Sequence, residues 1–109
     1  MQQQERLFKD ALLESIDEAI TGLLSRGVLD SLYDHLQTFH SISRDEVPEN
    51  LESLLSALTQ IFGIRGTDTI TKVIARKWYL KLGLKFTLNP NRNLIAYVEE
   101  AKTMARNSE

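Results

Sequence analysis

The residues of this chain that could do chemistry are two histidines, three adjacent carboxylate pairs, scattered serines and a run of cations in its second half. His35 and His40 stand five apart, so they do not share one helical face as an i,i+4 ligand pair would. No third ligand stands in register with them, and a metal centre needs three or four. His35 falls at the edge of an apolar stripe and His40 near a helix C-terminus, where a cation is mildly favoured; both read as structural. Asp17-Glu18, Asp45-Glu46 and Glu99-Glu100 are sequence neighbours. Neighbours on a helix point about 100° apart, so such pairs do not converge on one cleft for acid–base work. They read as solvated faces. None of Ser15, Ser25, Ser31, Ser41, Ser43, Ser53 or Ser56 has a Gly-x-Ser-x-Gly context. Gly63-Ile64-Arg65-Gly66 lacks the spacing and the Lys-Ser/Thr of a phosphate loop and reads as a helix stop and turn. Cysteine is absent, which removes disulfides, thiolate ligands and thiol nucleophiles together. The expectation is a protein that is not an enzyme, with no catalytic residue, no metal and no cofactor.

The cations are a different matter. Residues 1–59 carry eleven Asp/Glu against four Lys/Arg, whereas residues 60–109 carry four against nine. Between 65 and 92, Arg65, Lys72, Arg76, Lys77, Lys81, Lys85 and Arg92 face one acid, Asp68. A charge asymmetry of this kind bears on partners and solubility rather than on an activity.

These residues must be positioned by helices. Phe8, Leu12, Leu13, Ile16, Ala19, Ile20, Leu23 and Leu24 recur at helical spacing and predict an amphipathic helix over about 5–24. Leu29, Leu32, Tyr33, Leu36 and Phe39 predict a second over 27–40, capped by Ser25. Ser43 and Glu46 have capping-box spacing, but Pro48 disfavours helix at Val47, so one turn and a break are expected over 41–50. A third helix over 51–62 has Asn50 as its N-cap and Gly63 as a left-handed C-cap. A fourth over 67–82 is capped by Thr67 or Asp68 and stopped by Gly83. It places Ile70, Thr71, Ile74, Ala75, Trp78 and Leu82 on one stripe, with Val73 and Leu80 on another side. Leu84-Lys85-Phe86-Thr87-Leu88 alternates with period two, but a lone strand leaves its ladder groups unpaired. An extended connector is the favoured reading; an edge pairing with a second copy is the alternative. Asn89-Pro90-Asn91 is a turn, and Leu94, Tyr97, Val98, Ala101, Met104 and Ala105 predict a last helix over 92–106, with fraying at 107–109.

The predicted fold class is therefore all-α: a compact orthogonal bundle of about five helices, with a short extended segment near 84–89, in one domain over 1–109. The expected core contains Leu12, Ile16, Leu32, Leu36, Leu54, Leu55, Leu58, Phe62, Ile74, Trp78, Leu82, Leu94 and Val98. Composition agrees, at 42% hydrophobic and 26% charged. No apolar run approaches the ~20 residues of a bilayer span, and Met-Gln-Gln-Gln-Glu does not open like a signal peptide. A cytoplasmic protein is expected.

Several segments, in order, resemble a known family. They are Asp45-Glu46-Val47-Pro48-Glu49, then Ala57-Leu58-x-x-Ile61-Phe62-Gly63, then Lys72-Val73-Ile74 with Trp78-Tyr79-x-Lys81-Leu82-Gly83-Leu84, and finally Tyr97-Val98-Glu99-Glu100-Ala101-Lys102. Together they look like the small archaeal helical domains catalogued among Nitrosopumilus-type signalling output domains, over about residues 11–104. The resemblance implies an archaeal cytosolic domain that acts by contact rather than catalysis. It supplies no catalytic residue. It also implies a charged residue at position 80, where this chain has leucine.

Two readings of the basic helix compete. In the first, the protein is an interaction or regulatory module that docks another protein or a second copy of itself, as a homodimer, through helix 67–82 and the segment after it. Lys72, Val73, Arg76, Lys77, Leu80, Lys81 and Lys85 form its candidate surface. In the second, helices 51–62 and 67–82 form a helix-turn-helix that binds nucleic acid with Lys72, Arg76, Lys77, Lys81 and Lys85. The sequence pI of about 5.7 opposes the second. So does the opening Thr67-Asp68-Thr69-Ile70-Thr71, which is poor in groups that read base edges. No membrane partner is expected.

Overall fold

The computed structural model describes the backbone of residues 2–107 and the side chains of 6–105. The chain forms an all-α bundle whose helices share one hydrophobic cluster.

Helix α1 (Gln2–Leu23) buries Leu12, Leu13, Ile16, Ala19 and Ile20, the apolar arc its spacing predicts. Leu23 and Leu24 leave that arc for solvent, because the helix ends where the bundle ends. Ser25 caps helix α2 (Arg26–His40) as expected, accepting from the Val28 N–H at 3.1 Å. Leu29, Leu32 and Leu36 are buried. Phe39, expected on the same stripe, is 72% exposed at the helix's last turn. Ser41 then takes a left-handed conformation (φ 56°) and turns Ile42 back into the core.

The polar stretch that follows is more ordered than expected. Arg44–Glu49 is a 3-10 helix of six residues that includes Pro48 and buries Val47. Glu46 Oε1 accepts from the Ser43 N–H (3.1 Å) and hydroxyl (2.9 Å), closing the first turn. Burial of Val47 outweighs the local restriction imposed by the proline after it. Asn50 does not cap the next helix with its side chain. Its Nδ2 donates back to Glu46 O at 2.8 Å and closes the 3-10 helix instead.

Helices three and four of the sequence reading are two arms of one bent rod, α3 (Leu51–Leu82). The bend is a single residue, Gly63, at φ 78° and ψ 175°. This is not the left-handed C-cap expected there. Its extended ψ is that of an N-cap, so Gly63 starts the second arm rather than finishing the first. The second arm thus begins about three residues earlier than its expected start at Thr67, and neither Thr67 nor Asp68 caps it. Gly66 is required as well: a Cβ there would stand 2.8 Å from Phe62 Cβ across the bend. Gly83 ends α3 as expected, left-handed at φ 71°, with Leu84 N–H to Tyr79 O (2.9 Å) and Gly83 N–H to Leu80 O (3.1 Å).

Residues 84–89 form a connector without regular secondary structure, and among the described residues there is no strand. The period-two pattern has another cause. Phe86 turns inward against Tyr79 and Tyr97, with ring centroids 5.4 and 5.1 Å away. The Tyr97 hydroxyl then holds the end of the connector, donating to Asn89 O (3.0 Å) and accepting from the Asn89 N–H (2.8 Å). Asn93 caps α4 (Leu94–Asn107) through the Ala96 N–H at 2.9 Å. Of the fraying expected at 107–109, residues 108 and 109 lie outside the described residues.

Trp78 and Tyr79 anchor the centre. Trp78 is buried, meets Phe8 edge-on at 6.0 Å, and donates its indole N–H to Phe8 O at 2.9 Å. The Tyr79 hydroxyl donates to Tyr97 O at 2.6 Å. One helical turn therefore grips both α1 and α4.

Candidate functional site

Positions 73, 76 and 80 share one face of the second arm of α3, opposite the buried Thr71, Ala75 and Trp78, and Lys77 borders that face on the side of Ile70. That face points away from the core. Leu80 is 79% exposed, and Arg76 is exposed beside it. Val73 is half-buried and packs its inner side on the core, so Leu80 alone of that apolar pair stands free. Lys77 is half-buried at the margin, as a lysine stem lying along apolar surface would be.

Two of the seven candidate residues are occupied within the chain. Lys72 Nζ donates to Asp68 Oδ2 at 2.7 Å, an i,i+4 pair with the acid on the N-terminal side. Lys81 Nζ reaches across to α1, to Glu18 Oε2 at 2.8 Å and Glu14 Oε2 at 3.6 Å. The hydrogen bond to Glu18 raises the Lys81 pKa and keeps it charged. Such surface pairs contribute about 0–1 kcal/mol each. They do take Lys72 and Lys81, the flanks of the face, out of play. Arg76, Lys77 and Lys85 are left with no ion pair among the described residues. The result is an exposed leucine with Arg76 and Lys77 one turn before it on the helix and Lys85 on the connector after it. Arg92, the last cation of the run, is paired with Glu100 on α4.

No family model, curated protein or solved structure matches this chain. Function must therefore be argued from the face itself and from the other polar clusters.

The histidines come closer than their spacing suggests. The His35 and His40 rings lie 5.9 Å apart, His35 also meets Phe39 at 4.7 Å, and its Nε2 is 3.1 Å from Gln60 Oε1 on the first arm of α3. Among the described residues, no group of three or more His, Cys, Asp or Glu could hold a metal ion.

Asp17 was expected on a solvated face and is instead the hub of a polar cluster. It accepts from the Tyr33 hydroxyl (2.5 Å) and from Arg44 Nη2 (2.6 Å). Arg44 in turn lies 6.0 Å from the centre of the Tyr33 ring. The cluster ties α1, α2 and the 3-10 helix together. Helical periodicity could not reveal it, because its members are 16 and 27 residues apart in sequence. Burial, followed by the hydrogen bond to Asp17, pushes the Tyr33 phenol well above its ordinary pKa of 10.0. The folded protein therefore keeps this proton where the unfolded chain gives it up. The contribution to stability is complete below about pH 10 and declines as the pH rises further. Burial acts in the same direction on Tyr79. Urea midpoints measured between about pH 8 and 11 should fall at the alkaline end. Tyr33→Phe should flatten part of that fall, leaving the share due to Tyr79. An alkaline slope identical in the variant would show that Tyr33 carries none of it.

Proposed function

We propose that this protein is a non-enzymatic interaction module that docks an acidic protein surface through the outward face of α3's second arm and the connector after it. Val73, Arg76, Lys77, Leu80 and Lys85 make up the surface, with Leu80 at its centre, while Lys72 and Lys81 flank it in their pairs with Asp68 and with Glu14 and Glu18. The observation that carries this reading is the exposure of Leu80 beside Arg76 and Lys77, which, like Lys85 on the connector, have no ion pair among the described residues. An apolar centre with a charged rim is the usual anatomy of a docking patch. The resemblance to archaeal signalling output domains points the same way, toward a cytoplasmic protein that works by contact. Among the described residues no helix is long and apolar enough to cross a membrane.

A second copy is the acidic partner to test first. The chain carries exposed carboxylates of its own at Asp10, Asp34 and Glu52, without ion pairs among the described residues. Light scattering across a concentration series should show mass rising from 12.5 kDa toward twice that value at low salt, and less so at high salt. Leu80→Ser and Lys77→Glu should each weaken association about tenfold, close to 1.4 kcal/mol. A mass fixed at the monomer in low salt, or one indifferent to both substitutions, would sink the self-docking form.

The nucleic-acid reading keeps one favourable observation, the same three cations without an ion pair among the described residues. Against it stand the single-residue bend at Gly63, where a helix-turn-helix has a turn of three to four residues, and Phe86, which fastens the connector after the basic helix to the core. Titration of labelled duplex DNA separates the two: phosphate contacts give steep salt dependence, and no binding at ~50 mM salt retires this alternative.

A further inference from the structure

A second site lies at the elbow of α3, far along the rod from Leu80. The two arms and the turn before α4 enclose a cleft of about 290 Å³. Leu55, Ile64 and Pro90 give it an apolar side, while Thr67, Asn91, Arg92 and Asn93 give it a polar one. We infer that this cleft binds a small oxyanion, a carboxylate or a phosphate, between the first turn of α3's second arm and Arg92.

Two independent observations support this. The first is the helix terminus. Residues 64–82 form a long arm whose cap is Gly63, which has no side chain to accept from the N–H groups of Ile64, Arg65 and Gly66. The termini of α2 and α4 are served by Ser25 and Asn93. First-turn amides and the aligned peptide dipoles behind them attract anions. The second is Thr67. It lines the cleft and is only 8% exposed, and its hydroxyl is without a partner. Five other helical hydroxyls, on Ser15, Thr59, Thr69, Thr71 and Thr103, all donate to the carbonyl four residues back. A buried hydroxyl left unbonded is costly, and turning it about the Cα–Cβ bond toward an acceptor seated in the cleft would relieve it.

Arg92 supplies the countercharge. Its guanidinium is half-exposed and pairs with Glu100 on α4, which holds it at the cleft wall. A planar guanidinium suits both carboxylate and phosphate. Asp68 also lines the cleft and opposes an anion, but Lys72 holds its carboxylate at 2.7 Å and offsets most of that charge. Its residual repulsion gives the site a signature that a generic ionic effect lacks.

The test is an NMR titration of the whole chain, following backbone amides, with inorganic phosphate in one arm and butyrate in the other. Saturable shifts centred on Ile64, Arg65, Gly66 and Thr67 are expected with at least one probe, and which arm responds identifies the source. Thr67→Val removes the unbonded hydroxyl without changing shape, so it should fold at least as well as the parent while binding several-fold more weakly. Arg92→Gln should weaken binding about tenfold. Asp68→Asn should tighten it. No saturable shift with either probe, or equal affinity in Thr67→Val, would overturn the site. Weaker binding in Asp68→Asn would also overturn it, because a cation site behaves that way.

Discussion

Replacing Trp78 with alanine is expected to cost about 3–5 kcal/mol, a large part of the ~5–15 kcal/mol that holds a domain of this size together. The side chain is buried, lies against Phe8 and Tyr79, and donates a hydrogen bond from the second arm of α3 to the backbone of α1. Truncation leaves a void and removes the indole donor from the part-buried carbonyl of Phe8 together. Trp78→Phe separates the two effects: it keeps an aromatic body and loses the indole N–H, at about 1–3 kcal/mol. Urea denaturation should therefore rank parent, Trp78→Phe and Trp78→Ala in that order. Equal midpoints for the two variants would mean that packing at this position is replaceable and that the hydrogen bond alone matters.

Gly63→Ala is expected to destabilise the fold by about 1–3 kcal/mol through the backbone alone. Nothing lies within 4 Å of the position a Cβ would take, so no clash contributes. The cost is that of forcing an L-residue to φ 78° with an extended ψ. Gly22→Ala, at an equally open site inside α1, should instead be neutral or stabilising by up to ~1 kcal/mol. The same chemical change with opposite signs, read by thermal unfolding, isolates the conformational role of the bend. A harmless Gly63→Ala would show that the rod can straighten without loss.

Helices with a single polar side were legible in the sequence because their periodicity and their burial are the same information. Leu12, Ile16, Leu32, Leu36, Leu54, Leu58, Ile74, Trp78, Leu94 and Val98 are all buried as expected. Leu55, Phe62 and Leu82 only line the rim of the core, since each sits at the margin of its stripe. What stayed hidden depends on contacts distant in sequence. Phe86 looks like a strand residue until Tyr79 and Tyr97 are placed around it. Asp17 looks solvated until Tyr33 and Arg44 converge on it. Gly63 signals a stop, but nothing local says that the next helix begins one residue later, and so Thr67 was read as a cap rather than as a buried hydroxyl inside the arm. The candidate face was legible as a charge pattern. Which of its lysines were already neutralised was not, because Glu14 and Glu18 lie more than sixty residues away.

The bond between Trp78 and Phe8 spans 70 residues, and this sets an order for events on the ribosome. At ~5–20 residues per second, the greasy side of the first helix waits several seconds before the indole that seals it has even been synthesised. A growing polypeptide arrested ahead of residue 78 leaves that side without its Trp78 seal, with α2, the 3-10 helix and the first arm of α3 as its early cover. Truncated translation products of this protein are thus natural clients for the chaperones that patrol nascent chains.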